Sequence, residues 1–389
     1  LLEKIINLLD KCSMKMKKQS KSILMLSAHT LSPEMRFFNL DLHISVIADI
    51  KHIFTSFGHT VDNWSISGHA HLMGRPTDSV EIVNQHTWRQ LNSDMIEEFY
   101  KRYEPVLRDY DGFIVTHTPC FSLLYEKFDK PIITVASTRY EDPFSSDMVN
   151  WSKFNHYLQQ QIDKNIIIPV SNNKYDAKYT QLFTQRNWKH IPSLCEYTNA
   201  QYSGRVNKFL YSSKFKPDIS IENLIEKEHA FPKGYSWQQM ADYQGIVHIP
   251  YNISTMSIFE QYTANIPLFF PSWEFLYDLH EKYGNQGVLS ETSWNQVHGL
   301  SSNSSLFPMM KDPNNFKNTD DVMDWARLSD FYDEENMPYI QYFHSFEHLD
   351  ELLKTSDLKK ISEDMKAHNE KRKEKVYESW GEILSRIEQ

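Results

Sequence analysis

GIVHIPYNISTMSIFEQYTANIPLFFPS (residues 245–272) contains a complete strand–helix–strand unit. Gly245–Pro250 is apolar enough for a buried strand. Ser254–Ala264 carries helical periodicity, and Ile266–Phe270 returns to an apolar run. Two strands joined through a helix lie parallel in one sheet. Ser254, Thr255 and Ser257 suit the start of the helix. Ser257 and Glu260 also match the S-x-x-E capping box, so Glu260 has two readings. It returns to the backbone N–H of Ser257, or it holds a ligand.

The same alternation extends in both directions. Upstream, strands are expected at 22–30, 59–67, 111–119, 130–139 and 165–173. Helices are expected at 42–57, 93–110, 151–165 and 174–184, with a short one at FSLLYEKF. EYTNAQYSGRVN (196–207) is polar and aperiodic and reads as an interdomain linker. The alternation then restarts with strand KFLYSSK, helix SIENLIEKE and helix SWQQMADY before the quoted unit. Residues 285–320 read as loop, and 357–389 as one long helix with a break placed near His368. The fold class is therefore α/β, with two Rossmann-like doubly wound domains. The expected boundaries are 1–21 for an N-terminal helix and linker, 22–200 and 206–356 for the two domains, and 357–389 for the terminal helix.

Composition narrows the function. The chain has 389 residues, too many for one ordinary core. Only 11 are glycine, against a usual share of about 7%, so a glycine-rich phosphate loop is not the main device. A formal net charge of −10 argues against a general nucleic-acid binder. Cys12, Cys120 and Cys195 are far apart, which excludes a disulfide framework and fits a reducing, cytoplasmic compartment. No apolar run reaches the roughly 18 residues of a membrane span. Residues 1–21 combine a short amphipathic stretch, LLEKIINLL, with a run of five lysines. A solvated linker is the favoured reading, with peripheral contact to an anionic membrane as the other.

Open parallel sheets bind ligands beyond the carboxyl ends of their strands. In the first half those ends carry His29, His117 with Thr118, and Thr138 and Arg139 followed by Glu141. In the second half they carry Ser213, Lys214 and Lys216, then Asn252, Ser254, Thr255 and Ser257. Each alone has a structural explanation in turns and caps. The first turn of the helix after Asn252 offers unpaired N–H groups and the positive end of the helix dipole, which suits phosphate.

These segments resemble the GT-B glycosyltransferases, in particular the family-4-like (group 1) members. FGHTVDNWSIS (57–67) is similar to their GHxV helix-to-strand junction, DYDGFIVTHTP (109–119) to the strand whose histidine meets the donor sugar, and PIITVAST (131–138) to the strand after it. The quoted segment is similar to the family's donor-binding strand and helix, where a glutamate precedes a proline by seven residues, here Glu260 and Pro267. Two departures mark a diverged chain: Asn252 stands where retaining members often carry a second glutamate, and the 213–216 loop lacks the family's glycine and arginine.

The resemblance implies two domains facing a cleft, with the terminal helix crossing back to the first. It implies a hexosyl- or pentosyltransferase moving sugar from a UDP- or GDP-sugar to a hydroxyl of a glycan or glycoconjugate, without a separate cofactor. Glu260 would hold the ribose. Ser213, Lys214, Lys216, Asn252, Ser254, Thr255 and Ser257 would line the diphosphate and sugar, and Tyr235 and Trp237 would lie near the base. Arg139, Thr118 and Thr138 would meet acceptor or sugar. His117, His29 or Glu141 would be the base if configuration inverts; if it is retained, His117 would orient the sugar. No metal is implied, since no DxD pair stands at a strand end and Thr319–Asp321 reads as a helix cap. Two alternatives share the fold: a nucleotide-sugar 2-epimerase and a non-catalytic sugar- or nucleotide-binding protein. A dinucleotide-dependent dehydrogenase is disfavoured by the missing GxGxxG.

Overall fold

The computed structural model describes residues 33–137, 140–217, 220–291 and 318–388. Strands β1 (Arg36–Asp41), β2 (Thr60–Ser65), β3 (Gly112–His117), β4 (Ile132–Ala136), β5 (Ile167–Ser171) and β6 (Lys189–His190) form one parallel sheet, in the order β2-β1-β3-β4-β5-β6. Strands β7 (Val206–Ser212), β8 (Leu224–Glu226), β9 (Tyr243–His248), β10 (Leu268–Pro271) and β11 (Gln341–Phe343) form a second, in the order β11-β10-β9-β7-β8. Counted from its own first strand, each sheet begins 2-1-3-4-5. The chain thus uses one winding twice, and each sheet has a switch point between its first and third strands.

Helices α1 (Ile44–Ser56), α2 (Ser93–Leu107), α3 (Met148–Asp163) and α4 (Lys174–Thr184) belong to the first domain. The second contains α5 (Lys227–Ala230), α6 (Trp237–Ala241), α7 (Met256–Thr263), α8 (Trp273–Tyr283), α9 (Thr319–Ala326) and α10 (Phe346–Thr355). Helix α11 (Leu358–Ile387) ends the described chain. The inner strands carry apolar runs because both faces are covered. Phe113, Ile114 and Val115, and likewise Leu268, Phe269 and Phe270, are fully buried. At Gly245 on β9 the backbones come too close for a side chain: a Cβ there would lie 2.8 Å from the Pro267 carbonyl.

Two expectations change, and a third lies outside the described residues. The strand expected at 22–30 lies outside the described residues, and the sheet position between β2 and β3 belongs to RFFNLD instead. Five of its six residues are buried, and the Asn39 amide nitrogen donates to the Ile114 carbonyl at 2.7 Å. SIENLIEKE does not form one helix. Asn223 takes a left-handed φ of 65°, and Leu224–Glu226 then pair along β7, leaving only the short α5 helical. Helix α11 runs unbroken past His368, whose ring donates to the Asn336 carbonyl at 3.2 Å.

Contacts between the domains include two aromatic groups. Tyr175 on α4 packs its ring against Trp325 on α9 at 5.2 Å, and Lys174 pairs with Asp333 at 2.7 Å. Helix α11 crosses back to the first domain, where Trp380 meets Phe54 at 5.4 Å and Tyr377 meets Phe57 at 5.6 Å. Among the described residues no helix is long and apolar enough to cross a membrane.

Candidate functional site

The first switch point collects histidines. β1 ends at Asp41, and His43 follows as the N-terminal cap residue of α1. β3 ends at His117, which takes a φ of 69° while the Thr118 N–H closes back on the Thr116 carbonyl at 2.8 Å. This tight three-residue turn forces a non-glycine residue into the left-handed region, a strained conformation of the kind that collects at functional sites. The result is a pair of imidazoles, His43 and His117, with ring centres 5.2 Å apart and tilted by 30°. His69, from the segment after β2, lies 6.4 Å from His43. That segment is tied to the end of β2: the Asp78 carboxylate accepts from the Ser65 N–H at 2.7 Å and pairs with Arg75. Beneath the histidines Asp41 is fully buried, accepts from Ser65 Oγ at 2.9 Å, and is pushed up to about 6 by burial.

Thr118 is buried and donates to the Asp142 carbonyl at 3.0 Å, fastening the 140–143 loop under the turn. Glu141 is buried on the same loop and accepts from the Tyr179 hydroxyl at 3.4 Å. Burial, reinforced by Asp142 and Asp176, drives its carboxyl well above the usual range, which favours the neutral form. His29, Thr138 and Arg139 lie outside the described residues.

The second switch point is built from three loops. Ser213 holds the first in place, donating to the Ile249 carbonyl at 2.8 Å and accepting from the Phe215 N–H at 3.1 Å. Lys214 stands 4.3 Å from the centre of the Tyr251 ring and pairs with Glu291. The third loop docks on the second through Leu289 N–H to the Pro250 carbonyl at 2.8 Å and Glu291 N–H to the Tyr251 carbonyl at 2.9 Å. Gly287 makes this possible. Its φ is 109°, and a Cβ would lie 2.7 Å from the Phe215 nitrogen. Lys216 turns away to Glu226 and Glu228, at 2.9 and 3.3 Å.

Asn252 caps its own turn, accepting from the Ile253 N–H at 2.7 Å. Ser254 points inward and donates to Asp330 at 3.2 Å. Thr255 is the cap residue of α7, yet its hydroxyl meets that of Ser257 at 3.2 Å instead of capping the helix. Ser257 is therefore already inside the helix, two residues too late for the S-x-x-E box. Glu260 instead accepts from the Tyr197 hydroxyl at 2.5 Å, and the Trp237 side chain also bonds its carboxylate. Burial raises its carboxyl to about 6, with both hydrogen bonds opposing the rise. Tyr235 is 41% exposed and lies beside Lys227, 5.7 Å from its ring centre. Burial of its hydroxyl holds up its ionisation, with Glu260, Glu228 and Tyr251 adding to the effect.

The structure thus gathers Lys214, Tyr251 and Glu291 in one cluster, and Glu260, Trp237, Tyr235 and Tyr197 in another. His43, Tyr251, Gly287, Glu291 and Tyr197 escaped the sequence reading. For His43 there was a signal: it immediately precedes the periodic run of α1, where a strand-end residue belongs. Among the described residues no group of three or more His, Cys, Asp or Glu is arranged to hold a metal.

No family model matches the chain, and no curated protein matches it. Solved structures with a similar course include the glycosyltransferase SnogD from Streptomyces nogalater, at 9% identity and a TM-score of 0.44, covering 91% of this chain and 100% of that one. The spinosyn forosaminyltransferase SpnP follows at 9% and 0.42, covering 92% and 100%. CalG4, the calicheamicin glycosyltransferase, stands at 7% and 0.40, covering 91% and 98%.

Proposed function

We propose that the protein is a glycosyltransferase that moves a sugar from a nucleoside-diphosphate sugar to an acceptor hydroxyl. The observation that carries the proposal is the pairing of two like switch points with unlike chemistry. One presents the imidazoles of His43 and His117. The other presents a cation at Lys214, an exposed aromatic at Tyr235 and a carboxylate at Glu260. A nucleoside diphosphate asks for those three groups: a flat face for the base, an acceptor for the ribose hydroxyls and positive charge for the phosphates. A carboxylate has about four lone-pair sites, and Tyr197 and Trp237 occupy two of those on Glu260, so two remain for ribose. The first turn of α7 supplies N–H donors beside Thr255 and Ser257. That turn reaches the first domain, where the Asn172 amide lies 3.6 Å from the Met256 sulfur. Sugar on a diphosphate held there is thereby directed toward the strand ends of the first sheet.

In this reading the acceptor oxygen attacks the anomeric carbon while the bond from that carbon to the diphosphate oxygen breaks. The acceptor proton passes to His43, the more accessible of the two imidazoles; His117 is only 5% exposed and orients the sugar. Lys214 and the helix terminus stabilise the departing diphosphate. Glu141, kept neutral by burial, does not serve as the base. A thermal-shift screen against nucleoside diphosphates and nucleotide sugars tests the proposal first, and no stabilisation by any of them overturns it. With a stabilising nucleotide sugar in hand, free nucleotide should appear slowly even with water as acceptor. His43→Ala should then lower turnover by about 10²–10⁴-fold, the usual worth of a general base, without weakening nucleotide binding.

A further inference from the structure

Between the two sheets the chain forms a strap, residues 191–205, that is fastened unusually firmly. Asp49 on α1 is 3% exposed and accepts from the N–H groups of Leu194 and Cys195 at 3.1 and 2.7 Å. From the other side Arg372 on α11, also 3% exposed, donates to the Ser193 carbonyl, and to Thr263 on α7 at 3.2 Å. Glu196 receives Lys373 at 2.6 Å and the Tyr377 hydroxyl at 3.0 Å. Cys195 and Asn199, with φ of 58° and 49°, bracket a single helical turn, Glu196–Thr198. The strap therefore has one defined course. Its next side chain, Tyr197, ends on the Glu260 carboxylate at 2.5 Å, with its ring edge against Trp237 at 5.5 Å.

We propose that Tyr197 is a positioning residue for the donor site: it orients the Glu260 carboxylate toward the ribose and carries the position of the first domain into the second. This rests on the nucleotide role assigned to Glu260 above. A rotation of the first domain moves α1, and α1 grips the strap only two residues before Tyr197. The carboxylate must follow, because a hydrogen bond to a charged group is strong and directional. The other bond, from the Trp237 side chain, comes from the second domain and does not carry the position of the first. Asp49 and Cys195 lie on its strap side, and Lys227 and Tyr235 on the side of the second domain. The Tyr197 bond also favours the ionised carboxylate against its burial.

The test is calorimetric titration of UDP and of GDP into the full chain from pH 5 to 8. The proteins are wild type, Tyr197→Phe, Glu260→Gln and the double variant, each with its melting temperature recorded. Tyr197→Phe keeps the ring and removes only the hydroxyl. It should weaken binding by about tenfold near pH 6.5, the lower end for a hydrogen bond to a charged group. It should also shift the acid limb of binding to higher pH and leave the melting temperature nearly unchanged. In the Glu260→Gln background the same change should have no further effect. If Glu260→Gln weakens binding but Tyr197→Phe overlays wild type, or if the two effects add, the positioning role is overturned and the nucleotide site stands. If Glu260→Gln binds like wild type, or wild type binds neither nucleotide, the role of Glu260 fails and this inference fails with it.

Discussion

Asp330 shows how much one buried carboxyl controls here. It lies 2% exposed between the domains, accepting from Ser254 at 3.2 Å and from Asn336 at 3.5 Å. Burial pushes it up to about 8, with Asp333 and Asp176 adding to the rise and the Ser254 bond and Arg372 opposing it. A carboxyl whose folded pKa is raised binds its proton more tightly when folded. Its contribution is full below about 4, where both states are protonated, and is lost as pH rises toward 8. Asp41 and Asp49, each near 6, have the same sign over a narrower window. His190 and His248, depressed to about 4 by burial, act oppositely but only below their ordinary 6.5. Above that point Asp330 and Glu141 dominate, so urea-unfolding stability should fall between pH 7 and 8. Asp330→Asn preserves the volume and removes the proton, and it should flatten that slope. A wild-type slope in the variant would contradict the assignment.

At the scale of elements, Gly245 offers a direct check on the second sheet. A methyl there would meet the Pro267 carbonyl at 2.8 Å and the Phe269 ring at 3.0 Å, both in the core. Gly245→Ala should cost about 1–3 kcal/mol in chemical denaturation, the range for overpacking a filled core. Elements with local instructions were legible. KYDAKYTQLFT is a helix over Lys174–Thr184 because Asn173 caps it, accepting from the Asp176 N–H at 2.7 Å, and Gln185 ends it at a φ of 52°. RFFNLD stays unassigned from sequence alone, because Asn39 and Asp41 break its apolar run. Their partners, the Ile114 carbonyl and the Ser65 hydroxyl, are 75 and 24 residues away. The site divides in the same way. Lys214, Ser254 and Thr255 became candidates because strand ends can be read from periodicity, and Glu260 through its spacing to Pro267 in the GT-B resemblance. Tyr251, Glu291 and Tyr197 were missed because each matters through a contact made by a distant loop. The orientation of Lys216 and Ser254 was hidden for the same reason.

At the scale of the molecule, Arg372 is a buried group that ties several elements of the two halves together. Two domains joined by a modest interface ordinarily move and unfold independently. Here a guanidinium on α11 bonds the strap at Ser193, α7 at Thr263 and the 333–340 loop through Asn336 at 2.9 Å, beside the carboxyl of Asp49. Trp380 and Tyr377 then fix the same helix to the first domain. Arg372→Leu keeps much of the side-chain volume but leaves the Ser193 carbonyl, Thr263 and Asn336 without their donor and Asp49 without its neighbouring positive charge. Breaking a buried charge cluster from one side costs about 3–5 kcal/mol. The loss should fall on the joint and spare both sheets, since no strand contacts depend on this side chain. Urea unfolding followed by tryptophan fluorescence and circular dichroism should therefore split into two transitions in the variant. A single coincident transition, merely moved to lower urea, would mean that the domains are coupled by the Tyr175–Trp325 contact and the α11 aromatics without need of the guanidinium.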